Sequence, residues 1–314
     1  MKFSVKRYGA GLKEDWAHVL ADARNGIFIF DRKFVEYHGD RFTDFSVIAY
    51  LDDKPVALMP ASIDLVLAHV SSHAGLTFGG VVLKRELRGE VAIGVINAVL
   101  DALKEWGAKT LTLKLLPQVF CTYPSADLEY TLWRRGFELV RRDLSSILPL
   151  RNSLPFNTIK RQNVRKAGKA GLIVGIPSLT GFHTLLQNVL RAQHGVSPVH
   201  SLEELELLAA RFPDQIFVRA AIKGDELLAG TLIFNYDHVW HTQYLACSKS
   251  GRALGALDLV INSIIDEARD KGVAYLSFGT STESAGTVLN EGLLWQKESY
   301  GARSIVHDSM QATL

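Results

Sequence analysis

The chain has 314 residues, 47% hydrophobic and 22% charged, with nine prolines. A single core rarely grows past about 250 to 300 residues, so two cores are expected, and this composition excludes disordered or fibrous structure. A formal net charge of +2 excludes a strongly basic surface built to coat nucleic acid, and DNA is not an expected partner.

The opening MKFSVKRYG lacks the apolar core of a signal peptide. The most apolar stretch, 91–106, is broken by Asn97, Asp101, Lys104 and Glu105, short of the roughly 18 to 20 apolar residues of a membrane span. Only Cys121 and Cys247 could cross-link, which argues for a reducing compartment. The expectation is a cytoplasmic protein with no membrane insertion.

In chain order, residues 47–61 read as two strands joined by a turn at Asp52-Asp53-Lys54. Residues 95–107 read as a buried helix with Gly107 at its C-terminal cap, and 109–115 (KTLTLKL) as a strand. The same order returns later: a hairpin over 218–234 with its turn at Lys223-Gly224-Asp225, a helix over 260–272 capped by Gly272, and a strand over 274–280. Both helices begin Val-Ile-Asn and place Gly at the same offset, the mark of a duplication. Each half therefore predicts an α/β fold, a mixed central sheet flanked by helices. Pro149 and Pro155 bracket a polar stretch, so the boundary is expected at 150, with domains 1–150 and 151–314.

The second half opens on a basic segment. Residues 151–171 carry six basic residues and no acidic one, and Arg161, Arg165 and Lys169 stand at i, i+4 and i+8 on one helix face. Two readings stand: a solvated helix face, or a cradle in which Lys160, Arg161 and Arg165 hold a small anionic substrate. Aromatic platforms for a nucleic-acid strand are lacking, since the segment offers only Phe156.

No Gly-rich nucleotide signature follows a strand. What opens the second repeated helix is Lys249-Ser-Gly-Arg-Ala-Leu-Gly-Ala256, small residues at a helix start whose backbone N–H groups suit a pyrophosphate. The matching first-half loop carries Glu86 and Glu90, which would repel an anion.

Strand, loop, helix and strand around Arg252-Ala-Leu-Gly255-Ala256 resemble the acyl-CoA-binding core of the GNAT acetyltransferase superfamily, whose loop reads [QR]-x-x-G-x-[GA]. Here Leu257 takes the last small position and Ala256 comes one residue early. Two such units in tandem resemble the FemAB-like branch. His194-Gly-Val-Ser-Pro-Val-His200, His241-Thr-Gln-Tyr244, Phe278-Gly-Thr-Ser-Thr-Glu283 and Leu289-Asn-Glu-Gly-Leu-Leu-Trp-Gln-Lys-Glu298 with Gly301 resemble GNAT-like proteins found with bacterial surface-polysaccharide genes. So does Phe30-Asp-Arg-Lys-Phe-Val-Glu-Tyr-His-Gly-Asp-Arg-Phe42.

The resemblance implies two tandem GNAT-like domains, the first degenerate and the second catalytic. It implies transfer of an acyl group, from acetyl-CoA or another acyl-CoA held by Arg252, Gly255 and Ala256, to an amino or hydroxyl group of a nucleotide- or lipid-linked sugar. The alternatives are a FemAB-type transferase whose donor is charged tRNA, and a non-catalytic binding protein of the same fold.

Acyl transfer needs a base for the nucleophile's proton, donors for the tetrahedral oxyanion, and positioning of both substrates. Strand alternation puts His241 and Gln243 on one sheet face, and Glu283 follows the next strand's C-terminal end, where ligands of α/β sheets collect. His241 or Glu283 is expected as the base, with Gln243 and Ser281 orienting substrate and Lys297 neutralising a carboxylate or phosphate. His194, His200 and Tyr244 are further expected substrate contacts. Structural roles compete with these: a hydrogen-bonded strand histidine, Glu283 as a helix cap, and Cys247 as a small buried hydrophobe. No metal is expected, because no Cys or Asp completes a set with His238 and His241.

Overall fold

Both predicted glycine caps form with one geometry. Gly107 has φ +90° and Gly272 φ +73°. In each, the glycine N–H bonds the carbonyl three residues back and the next N–H bonds the one five back, Ala108 to Leu103 and Val273 to Ala268. Only a left-handed residue turns the chain this way, so a side chain there would be strained. The computed structural model describes the backbone of residues 1–314 and all side chains except those of Asp40 and His194.

Two compact units result. The first comprises Met1–Asp143, Ala285–Thr287 and Val306–Leu314; the second comprises Leu144–Ser284 and Val288–Ile305. The C-terminal residues return to the first unit, a long-range pairing that element order does not show.

In the first unit, β1 (Phe3–Arg7), α1 (Lys13–Ala21), β2 (Val47–Leu51), β3 (Lys54–Met59), α2 (Gly89–Glu105), β4 (Thr110–Lys114) and α3 (Asp127–Arg134) are the principal elements. The hairpin β2–β3 turns on Asp52 and Asp53, both at positive φ. Helix α2 buries Val95, Ile96, Val99, Leu100 and Leu103, the stripe its periodicity predicts. Each such side chain, fully buried, contributes about 1.5 to 3 kcal/mol. Strand β4 pairs in parallel with His69–Ser71 and antiparallel with residues 309–313.

In the second unit the chain runs through β5 (Glu138–Pro149, from Leu144 onward), α4 (Thr158–Lys169), β6 (Ile173–Gly175), α5 (Leu179–His194), α6 (Leu202–Arg211), β7 (Ile216–Lys223), β8 (Glu226–Asn235) and β9 (Val239–Cys247). It continues through α7 (Lys249–Leu254), α8 (Ala256–Asp270), β10 (Tyr275–Thr280), α9 (Glu291–Glu298) and the first residues of β11 (Arg303–Thr313). Strand order is β6-β7-β8-β9-β10-β5. All neighbours are antiparallel except β9 and β10, which are parallel and joined through α8. Helices cover both faces: Ala229 packs in one core with Ile261 and Ile264 of α8, while a Cβ on neighbouring Gly230 would meet Phe182 of α5 at 2.9 Å.

Candidate active site

The parallel ladder between β9 and β10 is short. It pairs Val239 with Tyr275, Trp240 with Leu276 and His241 with Ser277, and there it stops, though β9 runs on to Cys247. Two irregularities drive the strands apart: the β8–β9 register shifts with Gln243 as the extra residue, and the β10–β5 register shifts at Phe278. A bulge bends its strand and re-aims the following side chains. Beyond His241 no ladder separates the two faces of the sheet, and a cavity of about 540 Å³ opens there. Leu245 and Cys247 of β9 and Phe278 of β10 wall it, with Lys160, Asn163 and Asp258 from one face and Val189 and Gln193 of α5 from the other.

The Gln243 bulge corrects the expected alternation. Trp240, Leu245 and Cys247 pack together in the core against α8, so the inward side switches from even to odd residues across the bulge. His241 therefore faces away from the side that Leu245 and Cys247 occupy, Gln243 is the bulged residue itself, and neither is among the residues that line the cavity. His241 Nδ1 lies 3.0 Å from Ser277 Oγ. Its ring sits over Gly279, where an added Cβ would meet Cε1 at 3.3 Å.

Lys297 lines the cavity from α9 and is 4% exposed. Its ammonium donates to the carbonyl oxygens of Gly279, at 2.9 Å, and Thr280, at 2.5 Å, and has no carboxylate partner among the described residues. Burial lowers its pKa to about 8. An ammonium has three N–H donors, so one remains for a ligand. Gly279 thus lies between the two groups, its Cα side toward the His241 ring and its carbonyl toward Lys297. The next residue but one, Ser281, is fully buried, with no hydrogen-bond partner for its hydroxyl.

Other expected contacts go elsewhere. Glu283 is exposed on the small hairpin Thr282–Glu283 and Val288–Leu289, where it accepts from Asn290 Nδ2 at 2.7 Å, and it does not line the cavity. His200 and Tyr244 meet each other, Nδ1 to Oη at 2.6 Å, and are committed to anchoring the segment before α6. The side chain of His194 lies outside the described residues. Cys247 is buried, and its thiol is pushed up to about 11, so it is protonated near neutrality. Arg161 and Arg165 line a separate cleft, and Lys160 is spent on Asp258 at 2.8 Å.

The expected pyrophosphate seat borders the cavity, which Arg252, Gly255, Leu257 and Asp258 also line, but the chain's own groups crowd it. Gly255 has φ +75° and abuts α4, where a Cβ would meet the Asn163 carbonyl oxygen at 2.5 Å. In the first turn of α8 the Asp258 carboxylate is buried, bonded by Lys160, by Asn163 Nδ2 at 2.6 Å and by the Tyr300 hydroxyl. The helix dipole that would attract a diphosphate is already satisfied by the chain's own carboxylate. Ala256 is fully buried, and of the three expected residues Arg252 alone is exposed, at the cavity rim beside Gln193. The cavity has room for an acyl-bearing arm, while the Asp258 carboxylate stands in the turn of α8 that would face a diphosphate.

Lys297 escaped the sequence reading as a central group, because its partners are backbone carbonyls that no side-chain pattern announces. Among the described residues no group of three or more His, Cys, Asp and Glu could hold a metal ion.

Residues 158–285 match the family described as acetyltransferase (GNAT) domain. The whole chain superposes on the crystal structure of FemX with TM-score 0.68 at 13% identity, covering 99% of this chain and 97% of that one. L-PGS from Bacillus licheniformis gives 0.61 at 12%, covering 98% and 92%. A tandem GNAT protein from the clavulanic acid biosynthesis pathway gives 0.54 at 10%, covering 99% and 98%. Among curated proteins none matches the sequence.

Proposed function

Because the chain belongs to the GNAT superfamily, carrying a GNAT acetyltransferase domain over residues 158–285 and the fold shared with FemX and a tandem GNAT protein, we propose that its second unit is an acyltransferase working through the opening between β9 and β10. The observation that carries this reading is Lys297, a buried ammonium with no carboxylate partner among the described residues, beside the point where the β9–β10 ladder ends. A buried charge without a counter-ion is costly unless a ligand's charge answers it.

The donor carbonyl enters the cavity, and Lys297's remaining N–H donates to its oxygen as negative charge develops there. A preorganised donor of this kind is worth about 10² to 10³ in rate. The acceptor's amine or hydroxyl approaches from the His241 side. His241, held by Ser277, takes its proton as the new bond to the acyl carbon forms, and returns it to the donor's leaving sulfur or oxygen as that bond breaks. The acceptor class, a nucleotide- or lipid-linked sugar of surface-polysaccharide assembly, follows from the resemblance of the 194–200, 241–244, 278–283 and 289–298 blocks to proteins found with such genes.

The GNAT domain implies an acyl-CoA donor. A second reading, an aminoacyl ester carried by tRNA, is favoured by the Asp258 carboxylate in the first turn of α8, where a diphosphate would meet like charge. Thermal unfolding with acetyl-CoA and with S-acetylpantetheine separates them. A ligand at 100 times its Kd adds about 2.7 kcal/mol. The thioester reading expects both compounds to stabilise the protein to similar degrees, since the arm and not the diphosphate is held. No shift with either would discard the thioester donor.

A further inference from the structure

The second unit carries a surface that the transfer chemistry does not use. Between Asp143 and Glu203 the sequence holds no carboxylate and seven Lys or Arg residues. Six of these cations are exposed, five of them within 151–176: Arg151, Arg161, Arg165, Lys166 and Lys169. The same stretch exposes aliphatic side chains: Ile159 at 52%, Ile173 at 67% and Ile176 at 76%. Ile159 and Lys166 stand two helical turns apart on one flank of α4, beside the Arg161, Arg165 and Lys169 row. No wall rises over the C-terminal end of the helix, since a Cβ on Gly168 or Gly171 would meet nothing within 4 Å.

Next to the row lies a cleft of about 350 Å³ whose floor is apolar, including Phe156, Val164 and Ile265. Arg161, Arg165 and Arg269 border it. Arg269 is fixed by the Leu150 carbonyl at 3.2 Å, Ser153 Oγ at 2.5 Å and the Asp266 carboxylate at 3.3 Å, whereas Arg165 has no hydrogen-bond or ion-pair partner among the described residues.

We propose that residues 151–176 form a docking surface for an anionic phospholipid bilayer, with the cleft beside Arg161, Arg165 and Arg269 receiving a lipid phosphate. Cations answer the charged headgroups, the cleft's guanidiniums suit a phosphate, and the exposed isoleucines enter the boundary below. An RNA strand would use the charges but not the isoleucines, and would want stacking aromatics where the surface offers only Phe156. Among the described residues no helix is long and apolar enough to cross a membrane, so the association is peripheral.

The test is co-sedimentation of the full chain with vesicles of phosphatidylglycerol mixed with phosphatidylcholine, and of phosphatidylcholine alone. Binding is expected to the first and not the second, and to weaken as salt rises. Each cation contributes about fivefold in vesicle affinity, so Arg161→Glu with Arg165→Glu and Lys169→Glu should lose on the order of 100-fold or more. Ile159→Ser with Ile173→Ser, charge unchanged, should weaken it as well. Circular dichroism checks that the variants are folded, and if the triple variant is not, Lys166→Glu, an exposed position, repeats the test with a loss of fivefold or more. Equal sedimentation with both vesicles, or undiminished binding of the charge-reversed chain, overturns the proposal. So does full competition by free glycerophosphate, which would assign the cleft to a soluble anion, or displacement by an RNA oligonucleotide with the isoleucine variant binding like the parent.

Discussion

Lys297 Nζ donates to the carbonyl oxygen of Gly279 at 2.9 Å, and the opposite side of Gly279 faces the ring of His241. One backbone unit thus carries the two proposed reactive groups, at φ +71°, where a side chain is strained. Gly279→Ala should push the imidazole away and lower turnover by tenfold or more with the fold retained. Steady-state kinetics with a thermal melt checks both halves.

Titration of Lys297 should show in stability. Its folded pKa of about 8 lies below its ordinary value of 10.5. Below pH 8 both folded and unfolded states carry the proton, and the burial penalty is fully present. Between pH 8 and 10.5 the unfolded state binds the proton and the folded state does not, so stability rises with pH, by about 3 kcal/mol in all. Subtracting denaturation curves of Lys297→Met from those of the parent isolates this rise; a flat difference from pH 8 to 10.5 would contradict it.

Rate should move the other way. The account requires the ammonium form, so turnover should fall as pH rises through about 8. In Lys297→Arg, whose guanidinium does not titrate there, that descending limb should disappear even if the overall rate is lower. A limb unchanged in the arginine variant would assign it to another group.

The duplication was legible because it is written in local signals. Gly107 and Gly272 cap equivalent helices, and the turns at Asp52-Asp53 and Gly224 pin equivalent hairpins, each a short-range demand on backbone angles. The site was less legible, since its parts meet across long sequence separations. Lys160 and Asp258 pair across 98 residues, which turned an apparent phosphate ligand into half of a buried ion pair. No glycine or proline marks the Gln243 bulge, so strand alternation read from the sequence runs straight through it. The return of Val306–Leu314 to the first unit is set by packing that only the folded chain reveals.

The Lys160–Asp258 pair gives a stability prediction independent of catalysis. Both side chains are nearly buried, 11% and 7% exposed, so removing one partner strands the other. Asp258→Asn should cost about 3 to 5 kcal/mol, and adding Lys160→Met should restore much of it. Urea denaturation of the three variants forms the cycle; a double variant no more stable than Asp258→Asn alone would contradict the pairing.

Gly255 meets α4 so closely that any side chain must move it. Gly255→Ala, with φ +75° and the Asn163 carbonyl 2.5 Å from the new Cβ, should destabilise the protein by more than about 2 kcal/mol. A loss below about 0.5 kcal/mol would show that α4 yields easily.

The most direct test of the central claim is the rate of acyl transfer by Lys297→Met against the parent, at saturating thioester donor with a nucleotide-linked amino sugar as acceptor. The account predicts a loss of about 10² to 10³ in kcat with donor affinity little changed. Turnover within about threefold of the parent would show that the buried ammonium does not stabilise the transition state.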